Sequence, residues 1–153
     1  MQRALTTIEI NAKLRNVEGF LGTYASDEIP PKPDLKTFSI VVNVDSSRKP
    51  GSHWIALVYK TNTFYFIDSY GRRITNILFA DEFKTTISNY IDGVSCKFVN
   101  KQLQQFTSNV CGEYCIYFIR QIYKTTFNKI LKEFSAHDLE ANDNLVLKYS
   151  KEL

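Results

Sequence analysis

The sequence has few of the residues that usually build metal sites or disulfide frameworks. Its 153 residues include only two histidines and three cysteines, Cys96, Cys111 and Cys115. These residues do not have the spacing of zinc ligands, so we expect no metal centre and no other cofactor. An odd number of cysteines, in a chain long enough to bury its own core, indicates free thiols in a reducing compartment.

Long apolar segments are also missing. The longest apolar run, residues 54–59, has six residues, whereas a helix needs about 20 to cross a bilayer. The N-terminal residues 1–13, MQRALTTIEINAK, lack the apolar core of a secretory signal. We therefore predict neither a membrane contact nor secretion. The formal net charge of +3 permits a weak contact with DNA but does not demand one.

What the sequence does contain is an ordinary share of hydrophobic residues and many aromatic rings, 44% and 14% of the chain. Hydrophobic periodicity divides the chain into strands and helices. Strands are predicted at residues 38–44, 53–59, 63–68 and 95–99, with an extended or turn segment at 20–24. Helices are predicted at residues 6–17, 77–91, 111–124, 127–131 and 141–153, the last capped near Ser135. Together they predict one α+β domain over residues 1–153, in which helices flank a small mixed sheet.

The segment around which we expect the fold to be organised is residues 104–124, QQFTSNVCGEYCIYFIRQIYK. Its polar first part leads into a helix that is apolar on nearly every face. Such a helix must be covered on all sides, which predicts a place at the centre of the core. Ser108 or Asn109 can cap its N-terminus, and this puts Cys111 in the first turn.

Cys111 is the candidate nucleophile. Unpaired N–H groups and the helix dipole stabilise a thiolate over a thiol at the start of a helix. Gly112 lets another chain approach the sulfur closely. The alternative is that Cys111 is a small buried apolar residue, as free cysteines usually are. For Cys115, one turn deeper in the helix, we prefer that alternative.

A cysteine nucleophile needs a base, and the base needs an acceptor that orients it. If a hairpin turns at residues 61–62, Asp68 lies opposite Ile55, and His53 lies on the same face one diagonal step away. At that offset β-carbons are about 7–8 Å apart, which His and Asp side chains can bridge. A change of one residue in the turn would place the two on opposite faces. Taken singly, each fits a structural role better, His53 at a strand edge and Asp68 in a turn.

Gln104 and Gln105 are candidates for stabilising an oxyanion. A side-chain amide just upstream of the cysteine can donate to a developing negative charge, with the Cys111 backbone N–H as the second donor. Chemistry alone does not choose between two neighbouring glutamines, and a glutamine in a polar loop is otherwise ordinary.

The candidates follow the order histidine, aspartate, glutamine, cysteine, which differs from the order in papain-like proteases. With the cysteine at the start of a helix, this order resembles the adenovirus protease (adenain) family, a relative of the SUMO-deconjugating proteases. The resemblance covers most of the chain up to about residue 124, including segments 20–24 and 40–43. Its motifs stand in this sequence as Gly51-Ser52-His53-Trp54, as Phe66-Ile67-Asp68-Ser69-Tyr70-Gly71, and as Gln104 followed by Ser108-Asn109-Val110-Cys111-Gly112.

The resemblance implies the roles of four residues. His53 would be the general base, Asp68 the acid that orients it, and Cys111 the nucleophile. Gln104 matches the oxyanion glutamine by the adenain spacing, whereas Gln105 matches it by the SUMO-protease spacing. The viral pattern of the loop favours Gln104.

The resemblance also bears on two further residues, Trp54 and Cys96, and on the residue type at position 68. Trp54 corresponds to the aromatic residue after the histidine, whose ring can favour imidazolium by cation–π attraction. Asp68 stands where adenovirus enzymes have Glu and SUMO proteases have Asp. Cys96 stands in the strand where adenovirus proteases attach an activating peptide through a disulfide. The chain is shorter than those enzymes, as are the compact relatives of virophages and Maverick-type DNA elements. We therefore expect that this device is lost and that Cys96 packs in the core beside Phe98.

Together, the residues and the resemblance predict a cysteine endopeptidase that processes capsid precursor proteins during virion maturation. It would act in the virion or in the virus factory of the host cell, and cut near small residues such as glycine. Three other functions stay open: deconjugation of ubiquitin-like modifiers, acetyl transfer with the same triad, and an inactive scaffold that binds capsid proteins. The complete set of His53, Asp68, Gln104 and Cys111 argues against the scaffold, which needs none of them.

Overall fold

The fold is built on a mixed sheet, which the computed structural model describes together with its helices over residues 3–153. In that range the sheet has five strands in the order β1-β2-β3-β4-β5. They are β1 (Phe20–Tyr24), β2 (Phe38–Asn43), β3 (Trp54–Lys60), β4 (Thr63–Ile67) and β5 (Ser95–Phe98). The pairs β2–β3 and β3–β4 are antiparallel, whereas the edge strands β1 and β5 run parallel to β2 and β4. Residues 20–24, predicted as an extended or turn segment, are thus an edge strand.

The β3–β4 hairpin has the register that the sequence predicts. Residues 61–62 join the strands and both have positive φ, 52° and 56°, as in a type I′ turn. At the other end of the ladder Ala56 pairs with Ile67. Continuing this register brings Asp68 to the end of the sheet at which His53 precedes β3. The turn length therefore decides that these two residues meet.

Helices cover both faces of the sheet. One face is covered by α3 (Cys111–Ile122), around which α1 (Thr7–Leu14), α4 (Phe127–Lys132) and α5 (Leu139–Lys151) pack. The other face is covered by α2 (Asp81–Ile91). Because β2 and β3 are buried on both faces, their sequences are almost continuously apolar. The predicted burial of the central helix is confirmed: α3 is buried on nearly every side. Among residues 3–153 no helix has the length and apolarity to cross a bilayer.

The predicted start of α2 is wrong. The helix begins at Asp81 rather than at residue 77, and the Ile77 side chain is 89% exposed. Ile77 continues the helical spacing of the apolar residues, but it lies in the irregular segment before the helix. The acidic residues Asp81 and Glu82 were the better signal, because negative charge is favourable in the first turn.

The two predicted caps also differ from the structure. α5 begins at Leu139, where Asp138 accepts a hydrogen bond from the backbone N–H of Ala141. Ser135 instead accepts bonds from the turn that precedes this cap. At α3 the N-cap position belongs to Val110, whose side chain makes no capping hydrogen bond. The Ser108 hydroxyl lies two residues earlier and accepts from a glutamine amide instead.

Candidate active site

Three elements bring the predicted triad together at one end of the sheet. His53 precedes β3, Asp68 follows β4, and Cys111 opens α3, which packs against β3. His53 Nε2 lies 2.8 Å from Asp68 Oδ1, and both side chains are buried. The structure thus joins the predicted base and the predicted acid in a direct hydrogen bond.

The sulfur of Cys111 lies beside this pair. The His53 side chain is close enough to Cys111 for the thiol to influence the pKa of the imidazole, and the backbone N–H of Trp54 donates to Sγ at 3.4 Å. Since Asp68 is bonded to Nε2 of the imidazole, the nitrogen that remains for the sulfur is Nδ1. Cys111 is only 5% exposed, so the thiol is sheltered from bulk water.

The electrostatics of the site favour a charged imidazole. Burial disfavours the charge on His53, but the hydrogen bond to Asp68 and the nearby Cys111 side chain outweigh it and raise the pKa of His53 to about 9. Burial likewise opposes charge on Asp68, yet His53 and Arg72 hold the pKa of this carboxyl below its usual value. Near neutral pH the pair is therefore an imidazolium facing a carboxylate, with the sulfur adjacent.

Arg72 and Tyr70 complete the surroundings of the pair. The sequence predicts a solvated charge for Arg72, but its Nε donates to Asp68 Oδ2 at 2.7 Å. The Tyr70 ring stacks on the His53 ring, with centroids 4.6 Å apart and planes 14° from parallel. The Tyr70 backbone N–H donates to Asp68 Oδ1 at 3.0 Å. Both residues lie within four positions of Asp68, and that closeness was the sequence signal for their roles.

Trp54 does not supply the ring that stacks on the imidazole. That ring belongs to Tyr70, whereas the Trp54 indole N–H donates to the Leu5 carbonyl at 3.0 Å. Leu5 is also the residue that approaches Gly112: a methyl group added there would lie 3.3 Å from the Leu5 side chain. The close approach expected at Gly112 is therefore made by this chain's own N-terminal segment.

A cleft of about 490 Å³ opens beside the sulfur. Its lining includes His53, Trp54 and Cys111, residues 4–7 on one side and much of the loop at residues 43–52 on the other. The cleft has the size usual for ligand sites, and it gives a substrate access to the sulfur.

The two glutamines have different surroundings. Gln104 is fully buried: its Oε1 accepts from the Ser69 hydroxyl at 2.6 Å, and its Nε2 donates to the carbonyl and the hydroxyl of Ser108. Gln105 is half-buried, and its Nε2 lies 3.2 Å from Asp143 Oδ2. Gln104 thus links the residue after Asp68 to the loop before Cys111, while Gln105 faces α5.

Of the other two thiols, Cys115 lies in the core as the sequence predicts, whereas Cys96 lies at the edge of the core rather than within it. Cys115 is buried in α3, and burial raises the pKa of this thiol well above its usual value. Cys96 is half-buried and packs, with Phe98, against the hydrophobic core under α2. Burial raises the pKa of Cys96 to about 11. Within residues 3–153 the His, Cys, Asp and Glu side chains form no group of three that could hold a metal ion.

Comparison with known proteins gives a fold. No family model matches the chain, and no curated protein sequence matches it. The central domain of the uncharacterized Lpg1148 protein from Legionella pneumophila is similar in structure, with a TM-score of 0.57 and 13% identity over 99% of this chain and 96% of that one. The SUMO protease Ulp1, with its catalytic cysteine oxidized to a sulfinic acid, has a TM-score of 0.54 and 12% identity over 97% of this chain and 80% of that one. The chain therefore has the predicted SUMO-protease-like α+β fold.

Proposed function

We propose that the protein is a cysteine peptidase with Cys111 as nucleophile, His53 as general base and Asp68 as the acid that orients it. The observation that carries this proposal is the buried 2.8 Å contact between His53 and Asp68, with the Cys111 sulfur held beside this pair by the backbone N–H of Trp54. Burying a charged imidazole beside a thiol at a helix N-terminus costs free energy, and a scaffold that only binds proteins does not need this arrangement. The SUMO-protease-like fold supports the same reading.

Hydrolysis would proceed through a thioester. His53 takes the proton of the Cys111 thiol, the thiolate attacks the scissile carbonyl carbon, and the electron pair of the C=O bond moves onto the carbonyl oxygen. When the tetrahedral intermediate collapses, the C–N bond breaks and His53 gives its proton to the leaving amine. A water molecule then loses a proton to His53 and attacks the thioester. The bond to sulfur breaks, and the acid product leaves with Cys111 restored.

Gln104 would stabilise the negative oxygen together with the backbone N–H of Cys111. Both acceptors of the Gln104 amide belong to Ser108, so one N–H becomes available to an oxyanion when the Ser108 hydroxyl rotates away, while the other keeps its bond to the Ser108 carbonyl. Without substrate, Ser108 satisfies an amide that would otherwise be buried with unpaired donors.

For the substrate, we propose capsid precursor proteins cut next to small residues, in the virion or the virus factory of an infected cell. The support is the adenain-like order of the motifs around His53, Asp68 and Cys111. We further propose that no activating peptide attaches to Cys96, because this thiol packs against the core and burial raises its pKa to about 11. DNA contact remains a proposal that rests only on the mildly basic charge.

A deconjugase of ubiquitin-like modifiers is the second candidate. Two observations favour it: the structural likeness to the SUMO protease Ulp1, and an aspartate at position 68, where the adenovirus enzymes have glutamate. Both candidates use the same chemistry and differ only in the protein that occupies the cleft.

The test uses two substrates and two thiol variants. Purified protein is incubated with capsid precursor proteins and, separately, with ubiquitin-like modifiers extended at their C-termini, and new termini are mapped by mass spectrometry. Hydrolysis should vanish in Cys111→Ala and persist in the matched control Cys96→Ser. Iodoacetamide near neutral pH should label Cys111 first, since burial holds Cys96 and Cys115 as thiols. Equal cleavage by Cys111→Ala would refute the mechanism. A Cys111 that reacts no faster than Cys96, with neither substrate cut, would favour the scaffold.

A further inference from the structure

Helix α5 carries two adjacent polar side chains that are buried, Asn142 and Asp143. A buried polar group costs about 1–3 kcal/mol when it lacks a hydrogen-bond partner. Such residues on a helix that packs against the core therefore need a compensating contact. Both side chains form such hydrogen bonds with the irregular segment at residues 102–110, which leads to Cys111.

Asn142 binds the start of that segment with every polar atom satisfied. Its Nδ2 donates to the Leu103 carbonyl at 3.1 Å and to the Ser135 carbonyl at 2.8 Å. Its Oδ1 accepts from the backbone N–H of Ser135 at 2.8 Å. The amide thus fastens Leu103 to the turn that precedes α5.

Asp143 binds the next part of the segment and α3 at once. Its Oδ2 accepts from Gln105 Nε2 at 3.2 Å, and its Oδ1 lies 2.7 Å from the Tyr114 hydroxyl. Burial and the nearby carboxylate raise the pKa of Tyr114, so this hydroxyl keeps its proton and acts as a donor. The Tyr114 oxygen also lies 3.0 Å from the Leu103 carbonyl, which places Asp143, Tyr114 and Leu103 at one junction.

The opposite side of the same segment is hydrogen-bonded to Ser69, the residue after Asp68. The backbone N–H groups of Leu103 and Gln104 both donate to the Ser69 carbonyl, at 2.9 and 3.0 Å. Ser69 follows Asp68 directly, and its hydroxyl donates to Gln104 Oε1. The segment is therefore held between Ser69 on one side and α5 on the other.

We propose that Asp143, assisted by Asn142, is a positioning residue that fixes Gln104 and Gln105 relative to Cys111. This inference rests on the proposed function, because it concerns how that site is kept in its working geometry. Gln104 lies in a segment without regular secondary structure, so the contacts from α5 and Ser69 must supply the rigidity that a helix or strand would otherwise give. Displacement of a catalytic group by about 1 Å can lower a rate by about 100-fold.

The kinetic test compares Asp143→Ala with the matched control Asn144→Ala, an exposed neighbour on the same helix. Asp143→Ala should lower kcat by about 10- to 100-fold with KM changed less than about threefold. The rate of Cys111 alkylation by iodoacetamide should stay within about twofold, since that reaction needs the sulfur and His53 but no oxyanion donor. Asn144→Ala should match the wild type in all three measurements.

A merely structural role would give a different pattern. It would lower the melting temperature and the number of active sites found by titration, while kcat per active site stayed unchanged. Asp143→Asn replaces the alanine variant if that variant does not fold, because it keeps an acceptor for Tyr114. Its kcat per active site should lie between those of the wild type and Asp143→Ala. An unchanged kcat per active site in both variants would overturn the proposal.

A second readout does not depend on catalysis. Hydrogen exchange of the Leu103 and Gln104 amides should be at least about tenfold faster in Asp143→Ala, while the amides of β2 and β3 exchange as in the wild type. If the wild type cuts neither substrate but this local exchange rises, the proposed function fails and α5 still holds the segment. Unchanged exchange at Leu103 and Gln104 would remove the basis for a positioning role.

Discussion

The charge on His53 depends on how fully Asp68 is bonded. Asp68 accepts from His53 Nε2, from the Tyr70 backbone N–H and from Arg72 Nε. A carboxylate with several donors stays ionised even where burial opposes its charge. The ionised carboxylate and the nearby Cys111 together overcome the effect of burial on the pKa of His53. In the proposed mechanism, the proton for the leaving amine is therefore held on His53 until the pH approaches 9.

This charge balance predicts the alkaline side of the pH profile. Because the pKa of His53 is raised to about 9, kcat/KM should fall as the pH rises through about 9 rather than through the ordinary histidine range near 6.5. The same sign holds for stability: the contribution of the charged pair is complete below about pH 6.5 and is lost as the pH rises through the pKa of folded His53. The measurement is kcat/KM from pH 6 to 10.

Two variants test whether His53 causes the alkaline fall, or limb, of the kcat/KM profile. Asp68→Asn removes one of the two groups that raise the pKa of His53 while burial remains, so the limb should move from about pH 9 to lower pH. Arg73→Gln is the matched control, because Arg73 is exposed and its guanidinium lies over the Phe98 ring. An alkaline limb that Asp68→Asn leaves near pH 9 would mean that another group controls it.

The two glutamines should separate by the size of their effects. Gln104→Ala should lower kcat by about 10²–10³ with a modest change in KM, as expected for an oxyanion donor. Gln105→Ala removes only one contact of Asp143, so its loss in kcat should not exceed that of Asp143→Ala. Steady-state kinetics of both variants decide the matter. A larger loss in Gln105→Ala would show that the SUMO-protease spacing is correct and that Gln104 is structural.

Among the secondary-structure elements, the hairpin was the easiest to predict from the sequence. A strand alternates its faces with period two, so the turn at residues 61–62 fixed the relation of His53 to Asp68. The burial of α3 could be predicted equally well, because a helix that is apolar on all sides must be buried in the core. For these elements the local pattern and the tertiary environment agree.

Other parts of the site depend on contacts between distant segments, which a local pattern does not contain. The attachment of residues 103–105 to α5 joins positions about 40 residues apart through Asn142 and Asp143. The predicted start of α2 is wrong because Ile77 has the spacing of a buried helical residue, but its side chain is exposed and lies before the helix. The predicted cap of α3 at Ser108 or Asn109 is wrong because the helix starts later, with Val110 in the N-cap position, and the Ser108 hydroxyl accepts from the Gln104 amide.

The hairpin turn itself offers a stability test. Thr61 has φ of 52°, a left-handed conformation that a β-branched residue adopts at a cost, whereas asparagine tolerates it. Thr61→Asn should therefore raise the free energy of unfolding by about 0.5–1 kcal/mol, seen as a higher urea midpoint with unchanged slope. Asn62→Ala, at φ 56°, should lower it by about 1 kcal/mol. Activity should not change, because the turn lies at the opposite end of β3 from His53. A lower midpoint in Thr61→Asn would contradict the turn assignment.

In the molecule as a whole, α3 is enclosed between the sheet and three helices, and this position brings one acid into the core. Glu113, two residues after Cys111, is only 1% exposed. Its Oε1 has no hydrogen-bond partner among residues 3–153. Burial raises the pKa of Glu113 to about 7, with Glu9 acting in the same direction and Lys13 and Lys151 against it. The folded state therefore prefers this carboxyl uncharged.

The buried acid predicts how overall stability changes with pH. A carboxyl whose pKa is raised on folding stabilises the fold below its unfolded value and loses that effect as the pH rises through the folded value, here from about 4.5 to about 7. Glu113→Gln keeps the shape but carries no charge. Its free energy of unfolding should match the wild type near pH 4.5 and exceed it at pH 8 by at most about 3 kcal/mol. Glu140→Gln, which removes an exposed acid on α5, should follow the wild-type curve throughout. Urea denaturation from pH 4.5 to 8 measures all three proteins, and parallel curves for Glu113→Gln and the wild type would show that Glu113 is charged in the folded protein at no cost.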